Sequence, residues 1–353
     1  MIRLVLWSLA AIFLVDIAIN SIFKEPINNI QPSKLTRYFD YGRSVESKLF
    51  RLVGTDDTNA ANITKAGWFL SDNKLVEENS RRQIYIYGMS FSNHIGEIIS
   101  QQDKTFDVKM FAGPGAPLNH SYTYYQRHRP HQKGDIVILG ILASSIPRMN
   151  TLTHMTKSFE SPAAHFYPRY RLDMNDKLIK KQISIDSLSE LRLAMYDETR
   201  WREVKKILEQ EDSFYDPIIF SRNVTDKSAY ARLLKRAWAQ KHTLEIIQHY
   251  HYKNGFKNTD RLIDVSQRLV SDFAKQVRKD GAIPFVILFN NRDFGDHLYV
   301  MLKPTLELNS IPYYSTHRDF PAEDLSNFIP DGHFTPAVDD KIAQSILKAI
   351  SSL

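Results

Sequence analysis

Two short stretches carry the residue types for a nucleophilic centre: Tyr85-Ile-Tyr-Gly-Met-Ser90-Phe-Ser-Asn93 and Ile329-Pro-Asp331-Gly-His333-Phe-Thr-Pro336. A serine hydroxyl attacks poorly until a base takes its proton, and imidazole suits that task near neutral pH. His333 is the base such a site would use. Asp331, two residues earlier in an Asp-Gly turn, would fix the ring tautomer and stabilise the imidazolium. The attacked carbonyl also needs donors for the charge that develops on its oxygen. The backbone N–H of Ser90 is one candidate, and the Gly113-Pro-Gly115 turn offers a second, because glycine lets backbone approach substrate closely.

These residues need elements to bring them together. The β-branched and aromatic run 84–87, broken by Gly88, reads as a strand entering a helix over about 91–101, with Ser90 at the turn. Further apolar runs at 107–111, 135–140, 283–289 and 311–314 read as strands. Between them lie helical patterns after Leu118, over Leu262 to Val277 with Gly281 behind it, and over about 296–308; another closes the chain at about 337–351. The expected fold class is therefore α/β, a three-layer α/β/α sandwich on a five-stranded parallel sheet. Ligands bind such sheets at the carboxyl ends of the strands, where Ser90, the loop after Leu139 and the Asp331 loop would all lie.

The rest of the chain divides by composition. Residues 1–23 read as a signal anchor or transmembrane helix, 24–82 as a tether and lead-in with a polar loop at 54–59, and 83–146 as the first part of the sandwich. A mainly helical insertion, 147–258, precedes the second part, 259–353; within it 187–198 and 229–239 read as helices. In the first segment Arg3 precedes an apolar run from Leu4 to Val15, then Asp16, then more apolar residues to Phe23. No small-x-small cleavage site follows, so an uncleaved anchor is expected, with a cleaved signal or a packed helix as alternatives. Asp16 would be expensive at the centre of a bilayer. An anchor or a signal places the bulk of the chain outside the cytoplasm, in the periplasm of a Gram-negative cell. Asn62, Asn119 and Asn223 open Asn-x-Ser/Thr triplets, which matter only on a eukaryotic secretory route.

A length of 353 residues, 43% apolar and 12% aromatic content predict a packed core. The formal charge of +6 is small for this length and no basic stripe interleaves with aromatics, so nucleic acid is not an expected partner. Arg127-His-Arg129-Pro-His131 is the densest basic cluster and reads as a solvated loop. The absence of cysteine excludes disulfides and thiolate chemistry. His242, His249 and His251 suggest a metal, but no carboxylate joins them at a recognisable spacing, so no metal is expected.

Gly88-Met89-Ser90-Phe91-Ser92, Ala112-Gly-Pro-Gly115-Ala-Pro and Asp331-Gly332-His333 with its Phe-Thr-Pro sequel resemble the first, glycine and last blocks of the SGNH, or GDSL-type, hydrolases. The resemblance covers about 80–145 and 258–353. It implies a flavodoxin-like sandwich, serine-dependent ester cleavage or acyl transfer, and no cofactor. It further implies Ser90 as nucleophile and oxyanion donor, Asp331 and His333 as acid and base, and Gly115 as an oxyanion donor. Family analogy and the tether point to acyl esters of carbohydrate or another envelope component. Two positions depart from the pattern: Met89 replaces the usual Asp, and Ala143 stands where the third block offers an Asn. Ser144, Ser145 or Asn93 could supply the donor instead. The alternative is a tethered, catalytically weak binding or assembly protein.

Overall fold

The structure, a computed structural model, describes residues 2–25, 33–54 and 81–353. The loop read at 55–59, the Asn62 triplet and most of the 24–82 lead-in lie outside the described residues. Two compact units divide the chain: one takes Met1–Asp72, Thr151–Phe166 and Ile183–Ile246, the other Asn73–Asn150, Tyr167–Gln182 and Ile247–Leu353.

The second unit is built on five parallel strands. Their order across the sheet is Phe106–Gly113, Arg82–Met89, Ile136–Leu142, Ile283–Phe289 and Tyr313–Ser315. Taken in chain order this is 2-1-3-4-5, the doubly wound flavodoxin-like arrangement expected from the sequence. Register sets Ile84 between Val108 and Ile136, and Ile138 beside Phe285. The three central strands are buried along nearly their whole length, as continuous apolar runs must be when helices cover both faces. Helices Ser90–Gln102 and Pro336–Ile350 pack together on one face. Leu118–Arg127 and Leu262–Lys279 pack together on the other, with His297–Leu308 beside the latter. In Leu262–Lys279 the buried residues recur as Leu262, Val265, Leu269, Val270, Phe273 and Val277, the spacing of a single helical face.

Close approach of the first helix depends on two glycines. A Cβ on Gly88 would stand 2.1 Å from Ser92 Oγ, and a Cβ on Gly140 would stand 2.1 Å from the same atom. Ser92 thus fills the space those two residues leave, and the helix carrying Ser90 seats directly on the sheet.

The first unit is helical. Val45, Leu49, Val53, Leu152, Met155, Leu191, Trp201, Leu208 and Phe220 form its core. The helix read over 187–198 is Leu188–Tyr196, capped by Ser187, and a second helix not read from the sequence, Glu198–Glu211, follows it; they part at Asp197, whose carboxylate accepts the N–H groups of Thr199 and Arg200 and caps the second. Asp226 is buried and holds the amino ends together, accepting from Ser44 N–H, the Ser44 and Ser47 hydroxyls and Lys235 Nζ. Lys48 is buried too, donating to the carbonyls of Tyr41 and Phe159, and burial pushes its ammonium down to about 7. Helix Ile2–Ile22 has a mean hydropathy of 2.2 and is long and apolar enough to serve as a membrane anchor or a signal sequence.

Several surface readings change in three dimensions. Asn119 is fully buried and donates to Pro168 O, so its triplet is inaccessible, whereas Asn223 is exposed. The basic cluster is packed and is not a solvated loop: Arg129 makes a two-pronged ion pair with Asp280, at 2.9 and 2.7 Å. His128 and His131 meet the Tyr87 hydroxyl at 3.2 and 3.1 Å.

Candidate active site

The strand Arg82–Met89 ends under the sheet's carboxyl edge, and Met89, still extended at φ −131°, hands over to the helix Ser90–Gln102. Ser90 therefore sits in the first turn, where backbone N–H groups have no intrahelical acceptor and the helix end carries partial positive charge. On the far side of the sequence, the Asp331 loop is held by its own backbone. Ile329 donates to His333 O at 2.8 Å, Gly332 donates to Ile329 O at 3.0 Å, and Phe328 bridges Phe334. Gly332 occupies φ +94°, which a side chain would strain. Arg292 Nη2 donates to Ile329 O at 3.0 Å and pins the loop from the end of the fourth strand.

This loop brings His333 onto Ser90. His333 Nε2 lies 2.7 Å from Ser90 Oγ, and His333 Nδ1 lies 3.0 Å from Asp331 Oδ1. The same carboxylate oxygen accepts the backbone N–H of His333 at 3.0 Å. That backbone bond first, and the imidazole second, hold the Asp331 carboxyl below the usual carboxylate range. The ring is clamped by packing as well, stacking on Phe91 at 4.8 Å between centroids, while Phe91 meets Phe334 edge-on at 5.3 Å. Asp331 itself is open to water, with 63% of its side chain exposed, against 26% for His333.

A second acid stands behind the histidine. Asp339, on the C-terminal helix, is buried, and its Oδ2 lies 3.3 Å from His94 Nδ1. His94 is one helical turn beyond Ser90, its ring 5.2 Å from that of His333. Burial pushes the Asp339 carboxyl up to about 6, with His94 opposing the shift. Sequence reasoning missed both residues. The i, i+4 spacing of Ser90 and His94 was a signal for one of them; nothing in the sequence pairs Asp339 with it.

The region where the sequence places the further oxyanion donors is less regular. Gly115 takes φ +54° in a turn closed by Ala116 N–H to Gly113 O at 3.2 Å. Arg148 Nη1 lies 4.0 Å from where a Cβ on Gly115 would stand, and burial lowers that guanidinium's pKa. Ala143 is fully buried. Of the substitutes expected for the Asn, the Ser145 hydroxyl donates to Leu142 O at 2.7 Å and Asn93 Nδ2 donates to Glu97 Oε1 at 2.6 Å. Ser144 N–H donates to Asn291 Oδ1 at 3.1 Å, which brings Asn291 from the fourth strand's end to the third block. Arg148 and Asn291 are the polar side chains here that the sequence did not single out.

His251 Nε2 meets His297 Nδ1 at 2.8 Å and its ring stacks on Phe294 at 4.2 Å, while His249 ends the helix Ala229–Tyr250. Among the described residues, no three metal-ligating side chains gather.

Against known proteins, no family model matches the chain and no curated sequence does so. Among solved structures the chain is similar to the Bacillus subtilis protein YxiM, at a TM-score of 0.34 and 12% identity, over 80% of this chain and 58% of that one. The chain thus spans less than two thirds of that protein's length, and a likeness this slight carries no argument about function.

Proposed function

We propose that the chain is a serine-dependent ester hydrolase or O-acyltransferase of SGNH type, working outside the cytoplasm on acyl esters of carbohydrate or another envelope component. The observation that carries this reading is the 2.7 Å contact from Ser90 Oγ to His333 Nε2, with Asp331 on the other ring nitrogen. In the mechanism it supports, Ser90 Oγ attacks the acyl carbon while His333 Nε2 takes its proton, and Asp331 holds the Nδ1–H and the imidazolium charge. The N–H groups of Ser90 and Gly115 receive the oxyanion. Arg148, beside Gly115, adds positive charge in place of the side-chain amide lost at Ala143. Collapse breaks the ester C–O bond, His333 returns its proton to the departing alcohol, and the acyl group remains on Ser90. Water or an acceptor hydroxyl, deprotonated by His333, then releases it as acid or as a new ester. The resemblance in the first, glycine and last blocks and the apolar N-terminal helix support the substrate class and the location.

A serine-reactive fluorophosphonate tests the reading. Labelling of the folded protein that disappears in Ser90→Ala and His333→Ala is expected; hydrolysis of an aryl acetate by Ser90→Ala at the parent rate would overturn it. A tethered binding or assembly protein is the second reading, favoured by the buried Ala143 and the engaged Ser145 and Asn93 side chains. Absence of labelling in folded protein selects it. An acyl donor supplied with and without a glycan acceptor separates transfer from hydrolysis.

A further inference from the structure

We propose that the helical unit is partly sunk into the membrane surface, with the stripe Tyr230, Leu234 and Trp238 lying among lipid headgroups beside the N-terminal helix. The argument starts from how that helix is held. Only its last two turns offer a part-buried face, at Asp16, Ile19, Asn20 and Phe23, and everything from Ile2 to Val15 is exposed. Asp16 Oδ1 accepts from the Ser228 hydroxyl at 3.2 Å and from Tyr230 N–H at 3.0 Å, at the start of the helix Ala229–Tyr250. Phe23 stacks on Phe39 at 5.1 Å.

Length then decides the depth. Leu4 to Val15 rises only about 18 Å as a helix, against a hydrocarbon core of about 30 Å. Leu4 to Ile22 rises about 28 Å and nearly matches it. In that span Asp16 lies six residues, about 9 Å, from the Ile22 end, so crossing the bilayer draws Asp16 and its partners Ser228 and Tyr230 below the edge of the hydrocarbon core. The surface that arrives there is suited to it. Tyr230, Leu234 and Trp238 recur every fourth residue and are 36%, 74% and 46% exposed, an apolar stripe facing away from the buried Arg232. The Trp238 indole N–H is satisfied by Asp216 at 3.0 Å and Lys241 Nζ stands 5.8 Å over its ring, the mixed apolar and polar company that suits tryptophan to a membrane boundary. One turn on, the face becomes charged, with Lys241 3.6 Å from Glu245. The cost of Asp16 falls as well, because its carboxylate caps a helix at that depth instead of standing bare in hydrocarbon.

The chain contains no cysteine, so single labels are clean. Full-length Leu234→Cys and Trp238→Cys, spin-labelled in phosphatidylcholine and phosphatidylglycerol nanodiscs, are compared with Leu9→Cys as the embedded reference and Ser352→Cys as the aqueous one. Circular dichroism confirms that each is folded. Oxygen-to-nickel accessibility ratios at 234 and 238 are expected to shift toward that of Leu9. Ratios equal to that of Ser352 would overturn the proposal, as would dipolar broadening between labels, which means a second copy covers the stripe. A Leu9 label that itself reports water overturns it too, since the helix then does not enter lipid. Esterase activity plays no part in the readout, so this outcome is independent of the proposed chemistry.

Discussion

Two places in the sheet unit set a hydroxyl against imidazole at similar distances and with different character. At the carboxyl edge, Ser90 meets His333 at 2.7 Å. On the side of helix Leu118–Arg127, the Tyr87 hydroxyl meets His131 at 3.1 Å and His128 at 3.2 Å, inside a ring cluster with Phe111 and Tyr125. Burial pushes both His128 and His131 down to about 4 and Tyr87 well above its ordinary value, so the cluster stays neutral and packs. At the edge, a carboxylate takes the far nitrogen of the imidazole, and the serine opens a helix whose first N–H groups have no intrahelical acceptor. In the proposed function, the orienting acid and the helix-start donors, not the contact alone, are what would make Ser90 a nucleophile.

The largest effect should come from cutting each contact in turn. Ser90→Ala or His333→Ala is expected to remove at least about 10⁴-fold of turnover on an aryl acetate while leaving Tm nearly unchanged. Tyr87→Phe should do the reverse, sparing turnover and lowering stability by about 1–3 kcal/mol in urea titrations as two buried imidazoles lose a partner. Equal activity losses in Ser90→Ala and Tyr87→Phe would erase the distinction.

Arg148→Ala should lower kcat about 10²-fold with little change in KM if its charge meets the oxyanion, and Arg148→Lys should recover part of that loss. A rise in KM alone would make Arg148 a ground-state binding group. Asp331→Asn should cost about 10- to 10²-fold, short of the roughly 10⁴-fold cost of a buried triad acid, because water reaches a 63% exposed carboxylate and can replace part of its role.

The smallest and most diagnostic effect is on stability against pH. His131 is neutral in the fold, its pKa lowered from 6.5 to about 4, so its contribution is present above about 6.5 and is lost as pH falls toward 4. The upper bound is on the order of 3 kcal/mol. Asp339 works in the opposite sense. Raised to about 6, it favours the fold while protonated, and that contribution is lost as pH rises through about 6. Asp339→Asn should therefore make acid unfolding steeper, and His131→Gln should flatten it. Urea midpoints at pH 4.5 and 7 separate the two; unchanged slopes in both variants would show that neither region governs acid stability.

Much of the sheet was legible because its signal is local. The runs around Ile84–Tyr87, Ile136–Leu139 and Ile283–Phe289 are β-branched and apolar, which a strand covered on both faces demands. The turn at Ser90 and the Asp-Gly-His loop announced themselves through glycine. What stayed hidden depends on partners far along the chain. Asn93 and Ser145 are both suitable donors by type, yet a glutamate one turn away and a carbonyl three residues back engage them. His131 looked solvated because arginines flank it, yet Tyr85 and Tyr125 enclose it.

By itself, then, the sequence determined the order of the five sheet strands and the helices flanking them, the serine at a strand end, the acid and imidazole in one turn, and the apolar N-terminal helix, all of which are patterns within a few turns of chain. Tertiary structure alone decided that Ser90 and His333, 243 residues apart, stand 2.7 Å from each other, that Arg148 reaches the Gly115 turn, and that Asp16 caps a helix beginning at Ala229. Hydrophobic periodicity fixes which face of an element is buried, but which polar groups then meet depends on register, on crossover connections and on where a glycine leaves room, as at Gly88 and Gly140 around Ser92.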